Sequence, residues 1–438
     1  MDKTKSNSLL SKIAFLFVLS FTLSSCNLGI TSSVVYSEDT YFFHKHEYSE
    51  GWASNETFHW HPDLCNHGTR TDVGEHIYEE WITDSVPEDC NLKVRYRRCL
   101  ICNYIEKALP SYYDTDNYLE YKINSINDNI PSEKGITFSF ITDLHLLHNS
   151  LSSKELMKVV LDNTPTSFVV CGGDIVSAYC KESETAENSC DAQLATWNSL
   201  LDYWYPKRVF QVRGNHDFIV NDSLNKTFYK KTEEETFRYV ISRNEDIVTY
   251  NNSLGLCYSY DHPDSNIRFL FIDDYIAFDD GQNMLSRSLT SEKMEWLIDT
   301  LDCSDDYHLI VVSHEACNEM MSECSPNMIA LHNILSCFKN KKMFEGEYNG
   351  RLWYHDFSKS KGELICVLSG HSHKDEDHIK DSVLSISTTC DAPYNDDKEA
   401  RIRGFVSESA FDVFNIDISN KTIKATRIGA GRDRFWNY

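Results

Sequence analysis

From Gly135 onward the sequence predicts an α/β fold with largely parallel sheets, because short apolar runs alternate with amphipathic ones. The strand-like runs are GITFSFIT from Gly135, SFVVC from Ser167, RVFQV from Arg208, IRFLFID from Ile267, HLIVVS from His308, LICVLS from Leu364 and VLSIS from Val383. The helical patterns are SSKELMKVVLDN from Ser152, AQLATWNSLLDYW from Ala192, TEEETFRYVISR from Thr232, TSEKMEWLIDTLD from Thr290 and NMIALHNILSCF from Asn327. Ser152 or Ser153 suits the N-cap of the first, and Thr290 or Ser291 that of the fourth. The end of the chain differs: AFDVFNIDI, the turn SNKT and IKATRIGAG read as a closing antiparallel hairpin.

The 438 residues exceed one typical domain. A formal net charge of −25 argues against sequence-independent nucleic-acid binding, which needs a basic surface. It also disfavours docking on anionic lipid by charge. At the N-terminus, Lys3, Lys5 and Lys12 precede the apolar stretch Ile13 to Leu23, and small residues follow. That is an export signal, expected over residues 1–25, too short for a stable transmembrane helix. The tetrad Leu23-Ser24-Ser25-Cys26 resembles the bacterial lipobox. The resemblance implies cleavage before Cys26, lipid on that cysteine and anchoring to a bacterial membrane. The other reading is an ordinary signal peptide that contains a Cys. Both place the protein outside the cytoplasm, where disulfides are permitted. Cys180 and Cys190 bracket a polar loop as a local pair, whereas Cys171 and Cys366 sit in apolar strands as buried thiols.

After a tether over 26–40, residues 41–110 form a small Cys/His-rich module. The pattern His-x-Tyr…Trp occurs twice, at His46/Tyr48/Trp52 and His76/Tyr78/Trp81, which suggests two related units. Units this small need staples. His76, Cys90, Cys99 and Cys102 make a set suited to tetrahedral zinc, and the segment resembles the zinc-ribbon-like repeats of bacterial surface proteins. The alternative is disulfides among Cys90, Cys99 and Cys102. The first unit holds His46, His59, His61, Cys65 and His67 without a clean ligand pattern. Residues 111–134 are polar and read as a linker into a catalytic domain over 135–438.

In alternating α/β folds, sites form at the carboxyl ends of strands. Asp143 and His145 follow the first run, Gly172-Gly173-Asp174 the second and Arg213-Gly214-Asn215-His216-Asp217 the third. His314 follows HLIVVS, and Gly370-His371-Ser372-His373 follows LICVLS. Five strand ends each delivering Asp, Asn or His point to a metal site. No Gly-x-Ser-x-Gly and no Walker loop is present, so no protein nucleophile is evident.

These blocks, in this order, resemble the calcineurin-like metallophosphoesterases from residue 135 to about residue 430. The resemblance implies two packed mixed β-sheets flanked by helices. It implies that Asp143, His145 and His373 hold one divalent metal, that Asn215, His314 and His371 hold another, and that Asp174 bridges them. It also implies that His216 faces the leaving group, oriented by Asp217. Two cations about 3.5–4 Å apart clamp a phosphoryl group and acidify a water that attacks phosphorus. Mn, Fe or Zn suits imidazole, carboxylate and amide donors. Ser177 stands where the purple acid phosphatases have Tyr, so tyrosinate-bound ferric iron is not expected.

The expected function is metal-dependent phosphate-ester hydrolysis. A surface binding or adhesion protein on the same fold is the alternative. Specificity is expected in the loops 177–192, 219–233 and 320–356, and a small phosphoester or nucleotide suits the acidic chain. Arg427, Arg432 and Arg434 in the Gly- and Arg-rich ending are candidates for reaching a phosphate.

Overall fold

The computed structural model describes residues 45–438 except 56, 66, 81, 85–93, 109–111, 132–133, 148, 178–179, 181–184, 218, 223–226, 231–238, 251–255, 277–285, 288, 394–400 and 402–405. The expected signal peptide, Cys26, the tether, Cys90 and most of the helix expected from Thr232 lie outside these residues. No helix of the described residues is long and apolar enough to cross a membrane.

Two compact units divide the chain, Met1–His76 and Ile77–Tyr438. The first contains an antiparallel sheet of Ala53–Ser54, Phe58–Pro62 and Arg70–Glu75, with a further bridge from Tyr48 to Asp63. The second begins with a sheet of the same plan, Ile82–Asp84, Val94–Arg98 and Ile105–Ala108, with a bridge from Tyr78 to Cys99. Each copy of the His-x-Tyr pattern therefore precedes a three-stranded meander and uses its Tyr to bridge back onto it.

The rest of the second unit is built on two mixed sheets. Strands β1 (Gly135–Ile141), β2 (Phe168–Cys171) and β3 (Arg208–Gln211) run parallel. The antiparallel strands β11 (Ala410–Asp417), β12 (Thr422–Gly429) and β13 (Arg434–Asn437) extend them, in the order β13-β12-β11-β1-β2-β3. The second sheet contains β4 (Val248–Tyr250), β5 (Tyr258–Asp261), β6 (Ile267–Phe271), β7 (His308–Val312), β8 (Glu363–Ser369), β9 (Glu376–Lys380) and β10 (Val383–Ser387). Their order is β4-β5-β6-β7-β8-β10-β9, with β6, β7, β8 and β10 parallel.

Side-chain alternation sorts these strands into layers. Phe138, Phe168, Val170, Phe269, Phe271, Ile310 and Val312 meet in one core between the sheets. Their neighbours Val169 and Cys171 face outward onto α2 (Ser152–Asn163) and α3 (Ala186–Trp204), where Met157, Val160, Trp197 and Leu201 cover them. Leu270, Leu309 and Val311 face α4 (Ser291–Asp302) and α5 (Ile329–Lys339) on the opposite side. The layers are helix, sheet, sheet, helix, as expected. Cys171 and Cys366 are buried thiols, and burial pushes Cys366 up to about 12. Cys180 and Cys190 pack into one small cluster with Val176 and Leu194.

Several local expectations are corrected. Residues 112–127 of the expected linker form α1 (Tyr112–Asn127), which packs Tyr118, Leu119 and Ile126 into the helix-covered face of the first sheet. The Tyr118 hydroxyl accepts from the Gly429 N–H at 2.9 Å, and Lys122 pairs with Asp433 at 2.6 Å. The polar surface of α1 hid its helical character, and its apolar partners come from the far end of the chain. The N-cap of α2 is Leu151 at φ 62°, not Ser152 or Ser153. Ser153 donates instead to Asp391 at 2.7 Å. Thr290 does cap α4, accepting from the Lys293 N–H. Residues 343–356, expected as loop, contain a hairpin of Met343–Tyr348 and Arg351–Asp356.

Arg427 and Arg434 do not reach toward a substrate. Arg427 is fully buried and bonds Asp412 and Asp375 through 2.8 Å and 2.6 Å contacts, and Arg434 bonds Asp412 at 2.7 Å. Burial opposes ionisation of Asp412, but Arg427 and Arg434 overcome it and hold its carboxyl below the usual range. Arg427→Met is expected to cost about 3 kcal/mol, the low end for breaking a buried ion pair because Asp412 keeps Arg434, checked by chemical denaturation. Because the Asp412 pKa is depressed on folding, the pair's stabilisation is present above about pH 4. It is lost as pH falls toward the folded value, so the variant's deficit should shrink in acid.

Candidate metal centre

The carboxyl ends of β1, β2 and β3 in one sheet and of β7 and β8 in the other open onto one site. Asp143 and His145 follow β1, Asp174 follows β2, Asn215 and His216 follow β3, His314 follows β7, and His371 and His373 follow β8. Two donor groups form there, Asp143/His145/Asp174/His373 and Asp174/His314/His371, each with ligand atoms within 4.8 Å of one another. Asp174 belongs to both.

The backbone bends sharply to achieve this. Asp143, His145, Asp174, His371 and His373 all adopt left-handed conformations, with φ of 52°, 42°, 52°, 68° and 56°. Such conformations cost on the order of 1–3 kcal/mol each in non-glycine residues and persist only where the surroundings enforce them. The enforcement here is hydrogen bonding between loops. Asp143 N–H donates to Gly173 O at 2.9 Å, His145 N–H to Asp174 O at 3.0 Å, and Gly370 N–H to His314 O at 3.0 Å. Asp143 Oδ2 accepts from the Thr142 hydroxyl at 2.7 Å and from His371 N–H at 3.0 Å. At Gly214 a Cβ would run into the backbone and carboxylate of Asp174, so only glycine fits there.

The donor chemistry fits two cations. His145 Nε2 and His373 Nε2 face each other at 3.1 Å, with Asp143 Oδ1 at 3.4 Å from His373 Nε2. That oxygen is buried and has no hydrogen-bond partner among the described residues. Burial pushes His145 down to about 4 against the attraction of Asp174 and Asp143, so its ring is neutral near pH 7 with a lone pair to offer. On the other side, His314 Nδ1–H donates to Gly172 O at 2.7 Å, which fixes the tautomer with Nε2 as the ligand atom. His314 Nε2 lies 3.1 Å from Asn215 Oδ1 and 3.4 Å from Asp174 Oδ2. Burial opposes the charge on Asp174, but His314, His216 and His145 outweigh it and hold the carboxyl well below its usual range.

His216 stands at the edge of the site. Its N–H donates to Asp174 Oδ1 at 2.8 Å, its Nε2 is 3.8 Å from Asp174 Oδ2, and its ring is edge-on to His145 at 4.9 Å. Its side chain is 24 % exposed, whereas those of His145 and His314 are buried.

The expected orientation of His216 by Asp217 is corrected. Both Asp217 oxygens accept backbone N–H groups instead, from Asp174 (3.0 Å), Ile175 (2.7 Å), Val176 (3.0 Å) and Gly214 (2.7 Å). Asp217 therefore ties the loop after β2 to the loop after β3. Asp217→Asn turns one acceptor into a donor aimed at N–H groups. It is expected to weaken metal binding about 10–100-fold, as loss of an outer-shell partner does, measured by metal titration of the apoprotein.

The end of β6 also contributes, although it carries no His to mark it in the sequence. Tyr275 donates its hydroxyl to Asn215 Oδ1 at 3.4 Å, and Asp274 accepts the Glu315 N–H at 2.7 Å, fixing the chain just after His314. Asp273 pairs with buried Arg213 at 2.7 Å and with Lys293 at 3.0 Å, beneath the Asn215 loop. The strand-end rule could have found all three. Glu323, 3.5 Å from His371 Nε2, lies in a long loop with no local signal. Of the expected zinc set, Cys90 is outside the described residues, His76 belongs to the first unit, and Cys99 and Cys102 belong to the second.

The family model described as calcineurin-like phosphoesterase matches residues 136–375, more than half of the chain. No curated protein matches. Among solved structures, vacuolar protein sorting 29 from Cryptosporidium parvum is 11 % identical over 69 % of this chain and 96 % of its own, with a TM-score of 0.29. A putative 5'-nucleotidase from Staphylococcus aureus is 13 % identical over 69 % of this chain and 54 % of its own, with a TM-score of 0.37. Phosphopantetheinyl hydrolase from Mycobacterium tuberculosis is 14 % identical over 59 % of this chain and 91 % of its own, with a TM-score of 0.28.

Proposed function

The chain belongs to the calcineurin-like phosphoesterase family, and from that premise we propose that it hydrolyses a phosphate ester at a dinuclear metal centre. The observation that carries this reading is the shared membership of Asp174 in two donor groups. Asp143, His145 and His373 would hold one cation, Asn215, His314 and His371 the other, and Asp174 both. Mn, Fe or Zn suits these donors. When bound, the pair supplies Lewis acidity toward the phosphoryl oxygens and an acidified water as nucleophile.

The chain's own residues do the rest. The buried carboxylates offset the repulsion between two cations. Asp217 and Thr142 fix the loops that carry them. His216, partly exposed and next to Asp174, donates a proton to the departing oxygen. Substrate choice falls to the loops around the site. With a net charge of −25 the chain suits a small phosphoester or nucleotide better than a long polyanion.

The N-terminal sequence extends the proposal. The LSSC tetrad supports export and lipid attachment at Cys26, with residues 26–110 carrying the catalytic unit outward from a bacterial membrane. A structural zinc in the 41–110 segment, with ligands among His76, Cys90, Cys99 and Cys102, belongs to the same reading.

The test is hydrolysis of p-nitrophenyl phosphate and bis-p-nitrophenyl phosphate. Chelation is expected to abolish turnover and Mn²⁺ to restore it. The preferred ester separates monoesterase from diesterase. Turnover that survives exhaustive chelation would sink the reading.

A further inference from the structure

The described residues of the first unit form no apolar core. Among its described residues only His59 is buried, while Trp52, Phe58, Leu64 and Val73 are all exposed. A segment this short buries too little apolar surface to hold three strands by the hydrophobic effect alone, and needs a covalent or metal staple.

The backbone shows where the staple belongs. Tyr48 bridges Asp63 antiparallel, Leu64 N–H donates to Glu47 O at 2.8 Å, and Ser49 N–H to Pro62 O at 2.9 Å. Continued two residues outward, that register sets His46 opposite Cys65. His46 Nδ1 is 3.1 Å from Cys65 Sγ. The chain then turns back, and His67 brings its ring edge-on to His46 with centroids 5.4 Å apart. The turn is held by Asp63, whose Oδ2 accepts from His67 N–H (3.0 Å), Thr69 N–H (2.9 Å) and the Thr69 hydroxyl (2.8 Å). Ligand atoms of His46, Cys65 and His67 all lie within 4.8 Å of one another.

We propose that His46, Cys65 and His67 bind a zinc-type divalent cation that staples the first unit. Two imidazoles and a thiolate are a borderline-soft donor set, which favours zinc over magnesium or calcium. Binding displaces the thiol proton of Cys65 to solvent and uses neutral rings on both histidines. Three protein donors leave a fourth position for water. The ion clamps the segment before the first strand to the 63–69 turn, a closure that no buried apolar side chain among the unit's described residues supplies. Asp63 acts as a positioning residue, because it fixes the turn that presents Cys65 and His67. This site uses none of the residues assigned to the phosphoesterase centre and stands or falls separately from it.

The test follows Cys65 itself in the reduced full chain. Alkylation by N-ethylmaleimide is read at each cysteine by peptide mass spectrometry, with zinc, with magnesium, and after chelation. Zinc is expected to slow labelling of Cys65 by roughly tenfold or more, as a metal-bound thiolate is shielded from the reagent. Magnesium should give no protection. His46→Ala and His67→Ala should each remove the protection, while buried Cys171 and Cys366 stay unlabelled, which shows that the second unit is folded. Equal labelling of Cys65 with zinc and after chelation, protection that survives both substitutions, or recovery of Cys65 as a disulfide from protein kept under reductant would each overturn the proposal.

Discussion

Asp174→Ala is expected to abolish hydrolysis and to lower the metal content of the protein below two ions per chain. The carboxylate belongs to both donor groups, so under the proposed dinuclear reading its loss would remove a ligand from each cation at once. It also accepts the His216 N–H through Oδ1, so the loop after β3 loses an anchor. Loss of an outer-shell partner costs about 10–100-fold, and removal of a shared ligand should exceed that range in turnover. Without Asp174, His314 loses the charge 3.4 Å away that favours its protonated form. Elemental analysis beside the p-nitrophenyl phosphate assay checks both parts. Wild-type metal content and turnover in this variant would remove the bridge from the account. Asp174→Asn is the informative companion. It keeps the shape and one acceptor oxygen but removes the charge, so metal loss in both variants assigns the effect to charge, and loss in Ala alone to coordination geometry.

The site was legible because its parts lie at strand ends, where local sequence and topology coincide. Each parallel strand is an apolar run that a reader can find. Each candidate ligand follows within a few residues, so Asp143, His145, Asp174, Asn215, His314, His371 and His373 could be collected without knowing the sheet order. What was not legible depends on contacts across the chain. The helix α1 is polar at its surface and declares itself only when Tyr118 meets Gly429. Arg427 and Arg434 look like phosphate-binding side chains in a Gly-rich tail until Asp375 and Asp412 are placed beside them. Asp217 follows His216 directly, which suggested a pair. Its carboxylate turns instead to the N–H groups of a loop some forty residues earlier. In the first unit the donors were all in view, but the antiparallel register that sets His46 against Cys65 was not. A bridge of one residue pair leaves no periodic trace in sequence.

His216→Ala is expected to lower kcat by about 10²–10⁴-fold while both metals stay bound, the range for loss of a positioned general acid. The side chain belongs to neither donor group, and its ring sits at the rim, partly exposed, 3.8 Å from Asp174. Its backbone N–H makes the bond to Asp174, and alanine keeps that bond. The substitution therefore removes the imidazole and little else. If the imidazole protonates the leaving group, the deficit must depend on that group. Departing p-nitrophenolate is a weak base and needs little help, so the loss should be smallest with p-nitrophenyl phosphate. It should grow with alkyl esters, whose alkoxides cannot leave unprotonated. If instead the ring only stabilises charge on the phosphoryl oxygens, the deficit should be equal across leaving groups. The slope of log kcat against leaving-group pKa, wild type beside variant, separates the two roles. A steeper slope in the variant assigns His216 the proton, and parallel slopes assign it the charge. Loss of metal from this variant would place His216 in the coordination shell and withdraw both.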